Sequence, residues 1–194
     1  MLGKLISADN HIDLTYCPPD LWSDAAPKDW KTKVPRTEER DDGLHWIVDG
    51  QDKGMWNGVG PGFTKYTPGS FKHVDEMKAV GFEWDYRRGA KPRPTTPESR
   101  VADMDKENVA AEIVYGCIMI NEMVGDTAIR DWADTVYNDW VADFAKKANP
   151  SRVFPLAIIP NSDPEAAAKE LRRCAKMGLR GGRSEEHTSE LQSH

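Results

Sequence analysis

Cysteine is scarce in this chain and nowhere paired. Cys17, Cys117 and Cys174 are odd in number, far apart and without a CxxC motif, which argues against a disulfide framework or a zinc-thiolate cluster and fits a reducing cytoplasm. Long apolar runs are missing as well. No segment approaches the roughly 20 residues that cross a bilayer, and Met1 to Ala8 holds only a short apolar stretch before Asp9, without the apolar core of a signal peptide. A membrane is therefore not an expected partner. Nor is nucleic acid, which calls for a clustered basic face, whereas the formal net charge here is −6.

Histidine is also rare, and part of it sits in a segment that does not read as native protein. Residues 183–194, RSEEHTSELQSH, follow abruptly on Leu179-Arg-Gly-Gly182, where a strand is beginning and hydrophobic residues should continue. The peptide matches the translation of a short-read sequencing adapter throughout, so we take 1–182 as the native part and 183–194 as a non-native tail. Setting the tail aside removes Arg183 with Glu185, Glu186 and Glu190, which leaves the chain acidic. It also removes His187 and His194, so His11, His45 and His73 are the histidines left for chemistry.

With 39 % hydrophobic and 30 % charged residues the chain is ordinary globular material that can bury a core. Trp22, Trp30, Trp46, Trp56 and Trp84, together with thirteen prolines in the chain, point to a packed but loop-rich N-terminal region. Leu5, Ile6 and Ala8 lead into Asp9-Asn10-His11, which reads as a buried strand delivering polar side chains at its C-terminal end. Residues from about 17 to 95 then form a long insertion of weak periodicity, and loops of that length in a domain are usually functional. Within it Leu44 to Val48 alternates and Asp49-Gly50 is a turn dipeptide, which predicts a hairpin across Asp49 to Asp52.

Thr96-Pro97-Glu98 opens a helix, with the hydroxyl as cap and proline at the first position. Val109 to Tyr115 (VAAEIVY) reads as a second buried strand ahead of Gly116. Ile129, Trp132, Ala133, Val136, Trp140 and Phe144 recur at helical spacing over Asp131 to Ala148, with Asp134 and Asn138 between them, and Pro150 ends that helix. Val153 to Ile159 is a third strand, Asp163-Pro164-Glu165 opens a further helix, and Gly178 closes it before a strand starting at Leu179. Alternating strands and helices call for a parallel sheet with right-handed crossovers. An open doubly wound sheet and a barrel both satisfy that order; a barrel takes about 250 residues, so this chain would hold about half of one.

Asp9 and His11 are two apart on one strand, so alternation turns both to the same face at the strand's C-terminal end. A carboxylate oxygen and an imidazole nitrogen meeting there suit half of a divalent metal site, and the same triplet taken alone also suits an Asp that caps the following loop beside a His satisfied by a core hydrogen bond. His45 and His73 have no ligand spacing and read as structural or surface residues. Cys17 reads as a small packing residue. Trp132, Trp140 and Phe144 read as core, and Glu98, Arg100, Asp103 and Lys106 as a solvated helix face. Gly58, Gly60 and Gly62 lack the preceding strand and following lysine of a phosphate loop.

The segment ISADNHIDL followed by Pro18-Pro-Asp-Leu-Trp22 resembles the opening of the amidohydrolase-related family, in its aminocarboxymuconate semialdehyde decarboxylase-like branch. Arg100 to Asp105, Ala111 to Tyr115, Tyr137 to Trp140, Asp163 to Ala168 and Gly178 to Gly181 are similar to successive family segments in the same order. The resemblance implies a truncated (β/α)8 TIM barrel, about its first half, with a long loop and hairpin insertion after strand 1. It implies one divalent metal held by the first strand, here by Asp9 and His11 where the family more often has H-x-H or E-x-H. A harder carboxylate ligand leaves Zn open and moves the choice toward Mn or Mg. It places the remaining ligands and the catalytic aspartate on later strands, so no catalytic acid or base is assigned in this chain. The implied activity is hydrolysis or decarboxylation of a small carboxylated or cyclic organic molecule, with Trp22, Trp46 and Trp56 walling its pocket and a homo-oligomer as the possible state of the full-length parent. Two other readings stand beside it: a catalytically inert fragment that associates through exposed sheet edges, and an unrelated open α/β ligand-binding domain.

Overall fold

A computed structural model of the chain describes residues 4–12, 14–41, 43–55, 96–116 and 123–183. Trp56, Trp84, His73, Cys117, the 58–62 glycines and residues 184–194 lie outside the described residues. The run ending in Asp9-Asn10-His11 forms strand β1 (Leu5–His11). It is followed by a short helix α1 (Leu21–Ala25) and an antiparallel meander of β2 (Arg36–Arg40), β3 (Gly43–Val48) and β4 (Gln51–Met55). The expected hairpin is present: Val48 pairs with Gln51 across Asp49 and Gly50, both at positive φ, 49° and 73°. Two left-handed residues give a two-residue turn whose twist suits the strands it joins. The preceding strand β2, rich in charge, is not legible as a strand in the sequence.

Helix α2 (Pro97–Lys106) starts where Thr96 predicts it, in a reciprocal box: the Thr96 hydroxyl accepts from the Ser99 amide and Ser99 Oγ accepts from the Thr96 amide, both at 3.1 Å. Asn108, at φ 57°, turns the chain directly into β5 (Val109–Tyr115), as asparagine does at least cost. Helix α3 (Thr127–Ala148) begins a turn earlier than its apolar period suggests, because Asp126 caps the amides of Ala128 and Ile129 at 2.9 and 3.1 Å. Helix α4 (Pro164–Met177) is capped by Asp163 on the Ala166 amide and ends on Gly178 at φ 101°.

The expected third strand is two short strands, β6 (Val153–Pro155) and β7 (Ala157–Ile158), broken at Leu156. The break is a change of partner. Leu156 N–H still donates to Val114 of β5, while Ala157 N–H donates to Gly181, so β6 pairs with β5 and β7 with β8 (Gly182–Arg183). The last strand thus starts three residues after Leu179 and includes Arg183, which the sequence places in the tail. All of these pairs are parallel, and each successive strand of the series lies beside its predecessor: β1 by β5, β5 by β6, β7 by β8.

Three expectations are corrected by packing. β1 is not a buried strand: Leu5 and Ile6 are 60 % and 73 % exposed, because among the described residues only β5 pairs with it and nothing covers its apolar side chains. Arg100 belongs to no solvated face, since α2 lays it and Met104 onto β5, with Arg100 only 2 % exposed. Asp134 and Asn138 are buried rather than polar spacers, at 2 % and 0 %. The buried line of α3 is Ile129, Ala133, Tyr137, Val141 and Phe144, with Trp132 and Trp140 packed on its flank.

Asn138 explains its own burial. Its Nδ2 donates to Ile158 O and Glu170 Oε1 while its Oδ1 accepts from Ile158 N–H, all at 2.8 Å, which latches α3 and α4 to β7. Burial raises the Glu170 carboxyl, but hydrogen bonds from Arg173, Asn138 and Cys174 outweigh it and hold the group below its ordinary value. A lowered carboxyl contributes stability that is fully present above the ordinary value, about pH 4.3, and is lost as pH falls through the folded value. Glu170→Gln is therefore expected to lower stability by on the order of 2 kcal/mol at neutral pH. In urea denaturation of the full chain, that gap to wild type should close as pH falls below about 4.

Candidate metal centre

Asp9 and His11 come together as their spacing predicts. The Nε2 of His11 lies 3.2 Å from Oδ1 of Asp9, and both side chains face solvent, 44 % and 83 % exposed. The ladder between β1 and β5 runs Ser7↔Glu112 and then Asn10↔Val114, so β1 carries one extra residue at Ala8–Asp9. Such a bulge re-aims the side chains beyond it. Pairing resumes at Asn10↔Val114 and continues at His11↔Tyr115, whose rings stack at 5.7 Å with planes 26° apart. Arg183 of β8 places its guanidinium carbon 5.7 Å from the centroid of the Tyr115 ring.

Two donors of a metal at bond lengths of about 2.0–2.2 Å lie about 3.3 Å apart at a tetrahedral angle, so the Asp9–His11 separation suits a shared cation. Among the described residues no group of three or more histidine, cysteine, aspartate or glutamate side chains could hold a metal, so the pair by itself is two donors at most.

Behind the pair, on the opposite face of β1, lies a cluster the sequence reading does not single out. Glu112 of β5, 1 % exposed, accepts from Asn10 Nδ2 and from Arg100 Nε. Arg100 Nη1 in turn donates to the His11 carbonyl at 3.3 Å, and Asn10 Oδ1 accepts from the His11 amide at 2.9 Å. A cavity of about 280 Å³ opens beside this cluster, lined in part by Asn10, His11, Tyr16, Arg100 and Glu112. The signal for it was a lone charge in an apolar strand: Glu112 in VAAEIVY needs a buried cation, since acidic residues are almost never fully buried unpaired. A larger cavity of about 670 Å³, lined by Asp131, Trp132, Lys169 and Arg173 among others, lies between α3 and α4 and includes neither Asp9 nor His11.

Trp22 and Trp46 are both fully buried and meet edge to face at 5.7 Å. Trp22 Nε1 donates to Ala133 O at 3.0 Å. Both indoles are buried among the described residues, where they tie the meander to α3. His45 pairs across the hairpin with the Asp52 carboxylate at 2.9 Å and holds that carboxyl below its ordinary value, as suits a structural histidine. Cys17 is buried packing, 1 % exposed. Burial and the Glu170 carboxylate push the Cys174 thiol up to about 12, which leaves it no nucleophile.

The sequence profile of the amidohydrolase family matches residues 11–193. Among solved structures, an amidohydrolase from Mycobacterium avium subsp. paratuberculosis K-10 is similar at 16 % identity with a TM-score of 0.67, over 92 % of this chain and 48 % of its own. A 2,6-dihydroxybenzoate decarboxylase from Rhizobium aligns at 18 % identity and TM-score 0.44, over 94 % of this chain and 38 % of its own. A dihydroxybenzoic acid decarboxylase from Polaromonas sp. JS666, solved with manganese and 2-nitroresorcinol, aligns at 19 % and 0.43, over 94 % and 38 %. No curated protein matches the chain. The chain spans about half the length of the first of these structures.

Removing one member of a buried ion pair strands the other in low dielectric. Glu112→Gln is expected to destabilise the full chain by about 3 kcal/mol in urea denaturation, while Arg100→Met with Glu112→Leu loses much less.

Proposed function

Because the chain belongs to the amidohydrolase family, we propose that it is the N-terminal half of a metal-dependent hydrolase or carboxy-lyase built on a (β/α)8 barrel. The observation that carries this reading is the convergence of Asp9 and His11 at the C-terminal end of the first strand. Active sites of such barrels lie at that face. The strand series supports a barrel over an open doubly wound sheet, since each strand adds beside the last without the reversal that makes a switch point. The native unit is residues 1–182, with the insertion at about 17–95.

Asp9 and His11 would hold one divalent ion, zinc, manganese or magnesium. When bound, the ion supplies Lewis-acid polarisation for hydrolysis or for decarboxylation of a small carboxylated or cyclic substrate. The chain's own residues present the donors. The bulge at Ala8–Asp9 aims the carboxylate, the Tyr115 ring fixes the imidazole plane, and the exposure of both side chains leaves room for further ligands from outside the described residues. Manganese titrated into the full chain is expected to broaden the NMR signals of Asp9 and His11 first. Equal broadening in the Asp9→Ala, His11→Ala double variant overturns the reading.

A second reading has its own observation. Leu5 and Ile6 are exposed on β1, which among the described residues pairs on one edge only. Exposed apolar edges invite pairing with another chain. The chain as it stands would then be catalytically inert and self-associating. Size-exclusion chromatography is expected to show concentration-dependent oligomers, and Ile6→Lys is expected to shift them toward monomer; a wild-type monomer at all concentrations excludes this state.

A further inference from the structure

We propose that Asn10, Glu112 and Arg100 act as positioning residues that clamp the backbone of His11 from behind its strand; the functional meaning rests on the reading of His11 as a metal ligand. Both backbone polar groups of His11 are taken by this cluster. Its amide donates to Asn10 Oδ1 and its carbonyl accepts from Arg100 Nη1. Asn10 can do this in one orientation only. With Nδ2 donating to the Glu112 carboxylate, Oδ1 is the atom left to accept from His11. Glu112 and Arg100, 1 % and 2 % exposed, are held by the packing of α2 on β5 and have no freedom to drift.

The need for a clamp follows from the bulge. The extra residue at Ala8–Asp9 interrupts the ladder before Asn10; pairing then resumes at Asn10↔Val114 and His11↔Tyr115, but the amide and carbonyl of His11 itself go to the cluster and not to β5. Stability alone does not require a polar cluster here. A buried ion pair often does no better than apolar residues of the same volume, and here Arg100 Nη2 is buried with no hydrogen-bond partner among the described residues. An arrangement that leaves a buried donor unmet and yet ties down both ends of one exposed histidine is accounted for by what it does to that histidine. The side chains of His11 and Asp9 then keep their mutual approach while both remain open to solvent.

The test uses the full chain and Asn10→Ala, with Glu112→Gln as a second variant that keeps an acceptor for Asn10 and removes the charge that fixes Arg100. Two signals are read: the contact between the His11 and Tyr115 rings, as a nuclear Overhauser effect and ring-current shift, and the manganese concentration that half-broadens His11. Wild-type shifts for the Trp22 and Trp46 indoles show that the core is intact. Asn10→Ala is expected to keep those core shifts, lose the ring contact and need about tenfold more manganese, the scale on which residues behind a metal ligand act. Glu112→Gln is expected to show the same changes in smaller degree. A ring contact and manganese response equal to wild type in Asn10→Ala overturn the clamp while leaving the metal reading in place. If manganese leaves His11 sharp in wild type, the metal reading fails, and the ring contact alone decides: its loss in Asn10→Ala supports the clamp and its retention overturns it. Should Asn10→Ala not fold, the same two signals in Glu112→Gln decide in the same sense.

Discussion

One buried ion pair ties the described α/β layers together. Arg100 and Glu112 are out of water on facing surfaces of α2 and β5, and removing two charges from solvent costs several kcal/mol for each. Such a pair persists only if its geometry is complete. That demands a helix start fixed by Thr96 and Ser99, a strand register that sets Glu112 opposite Ser7, and an asparagine on β1 to take the second carboxylate oxygen. The pair therefore couples the first strand, the first long helix and the second parallel strand into one unit.

The same device recurs farther along the chain with a different residue. Asn138 is the latch between α3 and β7, and through Glu170 it draws in α4, where Arg173 completes the carboxylate's partners and reaches Asp139. A parallel strand that changes partner at Leu156 exposes backbone groups at the change, and a buried amide is the side chain that can donate and accept there at once. Buried polar residues thus sit at two joints of the sheet, between α2 and β5 and between α3 and β7, while apolar residues fill the space between.

The end of β1 departs from a regular ladder. The bulge at Ala8–Asp9 interrupts the ladder beside Asp9, and the polar pair stands beyond it at the strand's end against the Tyr115 ring. Asp9, His11 and the exposed Leu5 and Ile6 all belong to a strand with one paired edge among the described residues. The Asp9–His11 pair and the exposed apolar side chains share that strand because neither is covered by another described element.

Local chemistry was legible in the residues. Thr96-Pro97, Asp163-Pro164, Asp49-Gly50 and Gly178 each carry their own capping or turn mechanism, and Val109 to Tyr115 is the strand its apolar run predicts. The Asp9–His11 pair was legible too, since two-residue spacing on a strand is a statement about one face. What depended on partners distant in sequence was not. The burial of Arg100, the inward turn of Asp134 and Asn138, the enclosure of Trp22 and Trp46, the exposure of β1 and the split at Leu156 follow from which element packs on which. A charge reads as solvated until a counter-charge arrives from another element, and an apolar run reads as buried until nothing comes to cover it. Periodicity holds the first half of each statement, and only tertiary packing supplies the second.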